Sequence, residues 1–146
     1  MKQIIHPIAG AVALLTIAGF WISTVISEFF LSMGAVVAVK TVIPWFLLLL
    51  VPALMATGGT GFAMGRGMRG PLIAAKTRRM PIIAANGLLI LVPAALYLSV
   101  KASAGEFDRA FYSVQGVELI AGAMNIALMA LNMRDGIRLS RRRKRA

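Results

Sequence analysis

Residues 80–100 read MPIIAANGLLILVPAALYLSV, a run of 21 positions without a single charge. At about 1.5 Å per residue, a helix of that length covers the roughly 30 Å hydrocarbon core of a bilayer. Three further runs have the same character, at about 4–27, 41–62 and 110–133. Lys40, the stretch 66–79 and the stretch 101–109 separate them. Lipid offers no partner to a backbone amide, so spans must be helices or a closed barrel. The runs lack the polar alternation of barrel strands. The sequence therefore predicts an all-α integral membrane protein, a four-transmembrane-helix bundle over residues 1–133 with a basic tail at 134–146.

Composition agrees. Of 146 residues 59% are hydrophobic and 14% charged, with a mean hydropathy of +0.82. A soluble domain carries about a quarter charged residues. With no cysteine and one histidine, zinc clusters, iron–sulfur centres and disulfide frameworks lack ligands. No nucleophile–base motif is legible, so the expectation is a protein that is not an enzyme. The first run exceeds the roughly 7–15 residues of a signal-peptide core and reads as a retained span.

Residues 28–40 are the ambiguous stretch. Glu28 and Lys40 bracket an apolar segment and would prefer headgroups, which favours an interfacial piece over an extension of the first helix. Pro7, Pro44 and Pro81 mark the expected helix starts, where a missing N–H costs nothing.

Orientation follows from the basic residues. Lys2, Arg66, Arg69, Lys76, Arg78, Arg79, Arg134, Arg138, Arg141, Arg142, Arg143, Lys144 and Arg145 fall on one side, and only Lys40, Lys101 and Arg109 on the other. The positive-inside rule then puts both termini in the cytoplasm, in the cell's inner (plasma) membrane. Arg66, Arg69, Arg78, Arg79, Arg141, Arg142 and Arg143 are expected to contact anionic headgroups. Without an aromatic platform among the basic residues, nucleic acid is not an expected partner. The aromatic side chains, Phe20, Trp21, Trp45 and Tyr97 among them, gather toward the outer face as an interfacial belt. A stacking pocket for a flat lipophilic ligand is the alternative.

The fourth span carries the chemistry. Gln115, Glu118, Gly122, Asn125, Met129 and Asn132 are spaced 3, 4, 3, 4, 3, so they share one helix face. Amides and a carboxyl on one stripe must turn inward, away from acyl chains. Burial at the depth of Glu118 predicts a protonated carboxyl unless a cation lies nearby. Three roles follow: a neutral hydrogen-bonding group, a proton- or ligand-exchanging group, or one half of an ion pair. Matching by depth sets Asn86 level with Asn125, and sets Glu118 level with Pro93, whose freed carbonyl would accept from it. Gln115, Tyr97, Thr24 and Lys40 complete the expected outer half-site. Small residues at Gly10, Ala13, Gly19, Gly122 and Ala123 favour close helix approach.

His6 precedes Pro7 and is expected to cap the first span as a neutral imidazole able to ligate a metal. A histidine heading a membrane helix resembles small four-helix b-type haem proteins. The resemblance implies haem b with His6 as one axial ligand and Lys76, a methionine or a second subunit as the other. Residues 65–70 spell G-x-G-x-x-G, but no βαβ unit surrounds them, so a flexible basic loop is expected instead of a dinucleotide site.

Three functions fit these features. The first is a small carrier or ligand-binding protein using Glu118, with Gln115, Asn125, Asn86, Tyr97 and Thr24 around it. The second is a non-catalytic accessory or assembly subunit of a larger membrane complex. The third is a haem or redox protein. A bundle this small has little interior, so a homo-oligomer or a larger membrane-protein partner is expected.

Overall fold

The computed structural model describes residues 2–65 and 70–143, together with all but residues 2–5, 62, 64, 65 and 141–143 of their side chains. It is all-helical: α1 (Lys2–Phe30), α2 (Met33–Gly65), α3 (Pro71–Asn86), a π-helical segment (Gly87–Leu91), α4 (Val92–Ser103) and α5 (Arg109–Arg143). The third and fourth helices and the π segment run on as one rod, Pro71–Ser103. Four stretches are thus long and apolar enough to cross a membrane, and they pack as a bundle compatible with doing so.

Every helix extends past the bounds expected from hydropathy. Pro7, Pro44 and Pro81 lie inside helices and do not start them. In apolar surroundings only the helix can satisfy the remaining amides, so the chain gives up one bond and continues. Residues 28–40 form no interfacial piece. Phe30 ends α1, a two-residue break follows, and the Ser32 carbonyl accepts from Ala35 N at 2.9 Å to open α2. The residues assigned to a separate tail continue α5 as far as Arg143. Gly58 and Gly59 sit within α2.

The π segment has a local cause. Pro93 supplies no N–H for the Leu89 carbonyl, and its ring crowds that carbonyl. The helix takes up a wider turn just before it, with Val92 N bonded to Gly87 O.

In cross-section α1 neighbours α2 and α5, while the α3–α4 rod neighbours α2 and α5. Among the described residues, no Cα of α1 comes within 8 Å of the rod, and none of α2 within 8 Å of α5. The helices therefore stand at the corners of a square, with two open diagonals. Ala13, Ile17, Leu50, Ile83 and Met129 form one buried apolar cluster, and Val36, Leu98, Ala102 and Phe111 another. The start of α1 and the finish of α5 lie at the terminal end of the bundle, and the α1–α2 and α4–α5 connections lie at its hairpin end.

The hairpin end is closed by local chemistry. Gly105 adopts φ 70°, which only glycine takes freely, so that Glu106 N reaches Lys101 O at 2.9 Å and Gly105 N reaches Ala102 O at 3.1 Å. Asp108 caps α5, accepting from Phe111 N at 2.9 Å, and also takes a 2.7 Å bond from Lys101 Nζ. The Lys101 ammonium, and then the Phe111 amide, hold the Asp108 carboxyl below the usual carboxylate range. Its folded-state value lies under its unfolded one, so its stabilisation is complete at neutral pH. That stabilisation is lost as pH falls through the lowered folded value. Asp108→Asn is expected to remove this acid-side component, seen as a shallower loss of melting temperature between about pH 5 and pH 2 than in the parent protein.

Candidate functional site

The polar stripe of α5 faces inward as its spacing predicts. Gln115, Gly122, Asn125 and Met129 are buried, while Ile120 and Met124 on the opposite face are exposed. Glu118 points into the bundle with 13% of its side chain exposed. Its partner is not a proline-freed carbonyl. Lys40 Nζ of α2 donates to Glu118 Oε2 in a direct ion pair, and Gln115 Nε2 donates to the same oxygen at 3.1 Å.

Lys40 is 0% exposed. The sequence suggests a headgroup residue marking the edge of a span, yet its side chain crosses the open α2–α5 diagonal. Its ammonium also reaches Thr24 Oγ1 of α1 at 3.4 Å. Glu28, on α1, keeps its Oε1 buried without a donor and lies more than 4 Å from the ammonium. The hairpin-end centre is therefore one ion pair, Lys40–Glu118, held by Gln115 and Thr24. Of the residues expected there, Glu118, Gln115, Thr24 and Lys40 come together. Tyr97 does not; it is 40% exposed.

One level deeper, Asn86 and Asn125 form a reciprocal clasp. Asn86 Nδ2 donates to Ala121 O of α5 at 2.9 Å, and Asn125 Nδ2 to Ile83 O of α3 at 3.5 Å. Each amide is buried and each keeps a carbonyl oxygen with no donor. Between this clasp and the ion pair lies a cavity of about 60 Å³ with contributions from every helix around the square. Glu118, Asn125 and Thr24 are its polar edge, and Phe20, Trp21 and Leu50 are among its apolar walls. Phe20 and Trp21 thus line the interior and do not belong to an interfacial belt. Trp21 Nε1 donates to Leu119 O at 2.9 Å, and its ring lies so near Gly122 that a Cβ there would meet Cδ1 at 3.0 Å.

A second polar centre occupies the terminal end. His6 sits inside α1, not at its cap, because the helix begins at Lys2. Its Nδ1 is 3.1 Å from Thr57 O, a pure acceptor, so Nδ1 carries the proton there and Nε2 accepts from Lys76 Nζ at 3.0 Å. This contact crosses the other diagonal, from α1 to α3. Thr60 Oγ1 stands 3.2 Å from Nδ1. Both imidazole nitrogens are engaged, and Lys76 is bonded directly to one of them, leaving no gap for an iron between the two. Among the described residues no three histidine, aspartate or glutamate side chains cluster as metal ligands. The residues present do not fit haem held by His6 and Lys76.

Asp135 escaped the sequence reading, which recognised one deep carboxyl. It is 1% exposed and accepts from Arg79 Nη1 at 2.7 Å, with Arg134 Nε at 3.4 Å. The signal was its place three residues beyond Asn132, on the same face. Arg79, expected among headgroups, turns to Asp135 and Asn132, whereas Arg78 is exposed. The expected headgroup contacts of Arg66 and Arg69, and of the side chains of Arg141, Arg142 and Arg143, lie outside the described residues.

No family model, curated protein or solved structure matches the chain. The site must be read from its own chemistry.

Removing one member of a buried ion pair strands the other, at a cost of about 3–5 kcal/mol. Lys40→Met is expected to lose that much, and the double variant Lys40→Met/Glu118→Leu to recover most of it. Unfolding curves in detergent check this; losses that merely add would show that the two side chains act independently.

Proposed function

We propose that the protein is a small polytopic carrier or ligand-binding protein of the inner membrane, with Glu118 as its proton- and ligand-exchanging group. The observation that carries this reading is the Lys40–Glu118 pair, buried in the bundle at the edge of a cavity. On insertion scales a charge costs about 2.5–3.5 kcal/mol at the middle of a span and less toward its ends, so each charge of this pair carries part of that cost. Well-packed apolar side chains would hold the same helices together at least as firmly. Stability alone therefore gives no reason for an ionisable centre here.

The centre also has the composition that exchange requires. Glu118 answers a single ammonium, and a proton or a cationic ligand can take the place of that ammonium at the carboxylate. Gln115 holds the Glu118 carboxylate in place, and Thr24 offers Lys40 a second acceptor when Glu118 is engaged elsewhere.

The experiment is proton exchange in proteoliposomes carrying an entrapped pH dye. Glu118→Gln is expected to slow exchange roughly 10²-fold, with insertion and native mass unchanged. The double variant Lys40→Met/Glu118→Gln, which strands no charge, should be equally inactive. Exchange at the parent rate in both variants would overturn the reading.

The proposed orientation places the terminal end in the cytoplasm, since the basic residues concentrate there. Burial of Lys40 sharpens the asymmetry by removing one of the three basic residues on the opposite side. The chain has no cysteine, so single-cysteine reporters need no prior substitution. In right-side-out vesicles Ala104→Cys should react with an impermeant thiol reagent and Ser140→Cys should not. The reverse pattern would invert the topology.

A further inference from the structure

His6 Nε2 and Lys76 Nζ stand 3.0 Å apart, a contact that holds only while the imidazole is neutral. With Nδ1–H directed at Thr57 O, the neutral ring offers Nε2 as its acceptor. A proton taken up at Nε2 turns that acceptor into a donor, and two cationic donors then face each other. Histidine is the side chain whose charge changes in the acidic-to-neutral range. Lys76 makes no ion pair among the described residues, so no carboxylate touches it to offset the second charge.

Of the two partners, the ring is the one held in place. Protonation leaves the Nδ1–H bond to Thr57 O intact, and Thr60 Oγ1 stands 3.2 Å from the same nitrogen. A Cβ on Gly61 would come within 2.9 Å of His6 Cε1 and 3.0 Å of Met80 Cε, so the ring packs directly on α2. Lys76 is the partner free to move. Its ammonium lies 3.6 Å from where a Cβ on Gly136 of α5 would stand, and the charge of the adjacent Asp135 reaches it. Arg79 and Arg134 already bond that carboxylate, whose two oxygens have capacity for a further donor. Among the described side chains, the charged groups around the ring are thus Lys76 and Arg79 from α3 and Asp135 and Arg134 from α5. The α2 side presents only the uncharged Thr57 and Thr60.

We infer that His6 and Lys76 form a proton-operated latch, in which a proton on Nε2 passes the Lys76 ammonium from His6 of α1 to Asp135 of α5. The consequence reaches the backbone because no Cα of α1 lies within 8 Å of the α3–α4 rod. Among the described residues, His6–Lys76 is the side-chain hydrogen bond that joins the two. The start of α1 stays bonded to α2 through Thr57, so protonation releases it from α3 alone. A histidine whose charge decides which of two helices a lysine engages is a two-state element biased by pH. It lies at the opposite end of the bundle from the Lys40–Glu118 pair and does not depend on the role of Glu118.

The test is the distance between nitroxide labels on Ile8→Cys and Ala74→Cys, both exposed positions, in full-length protein reconstituted in lipid nanodiscs. Acidifying from about pH 8 to about pH 4.5 spans the histidine range. It is expected to lengthen the distance by about 2 Å, the scale of a helix shift, along a one-proton curve. His6→Gln, introduced into the labelled pair, can donate to Thr57 O and accept from Lys76 without titrating. Lys76→Met removes the second charge. In both variants the distance should not change with pH. Asp135→Asn withdraws the receiving carboxylate and should move the midpoint down by about one pH unit. A constant distance in the labelled parent, a pH response that survives His6→Gln or Lys76→Met, or an unmoved midpoint in Asp135→Asn overturns the inference.

Discussion

An ammonium group buried far from water must be met by a carboxylate, and the bundle is arranged around that requirement. Lys40 is long enough to cross a diagonal that no backbone pair closes, and Glu118 waits on the far helix. Gln115 donates to the same carboxylate oxygen, and Thr24 accepts from the same ammonium. The ion pair contributes little net stability after desolvation, but it dictates how the helices face one another. Rotating α2 or α5 by one residue, about 100°, would separate the two charges and leave each without its partner.

The rest of the interior adapts to this arrangement. Apolar clusters and several polar contacts close the sides of the square, where helices are neighbours. Two lysine side chains, Lys40 and Lys76, reach across its diagonals, where they are not. Asn86 and Asn125 bind each other's helix backbone, which fixes the height of α3 against α5. Pro93 displaces the helical ladder just beyond that clasp, and the cavity forms where the wall is locally widened.

The inward stripe of α5 was legible because its 3–4 spacing depends on one helix alone. The level match of Asn86 with Asn125 was legible too, since helix rise converts sequence distance into depth. Lys40 was half legible: its level set it in the outer half-site with Glu118, but a single lysine between apolar runs looks the same whether it ends a span or pierces one. Only the rotation of α2 against α5 separates those cases, and rotation is a property of the packed pair. His6 and Lys76 are hidden for the same reason: 70 positions separate them in the chain. Prolines misled because bilayer-scale helices tolerate them where aqueous helices stop.

The two diagonal links lie at opposite ends and on opposite diagonals, His6 to Lys76 at one and Lys40 to Glu118 at the other. Flattening a square into a rhombus stretches one diagonal and compresses the other. Any shear of uniform sense along the bundle must therefore pull one link taut while it slackens its counterpart.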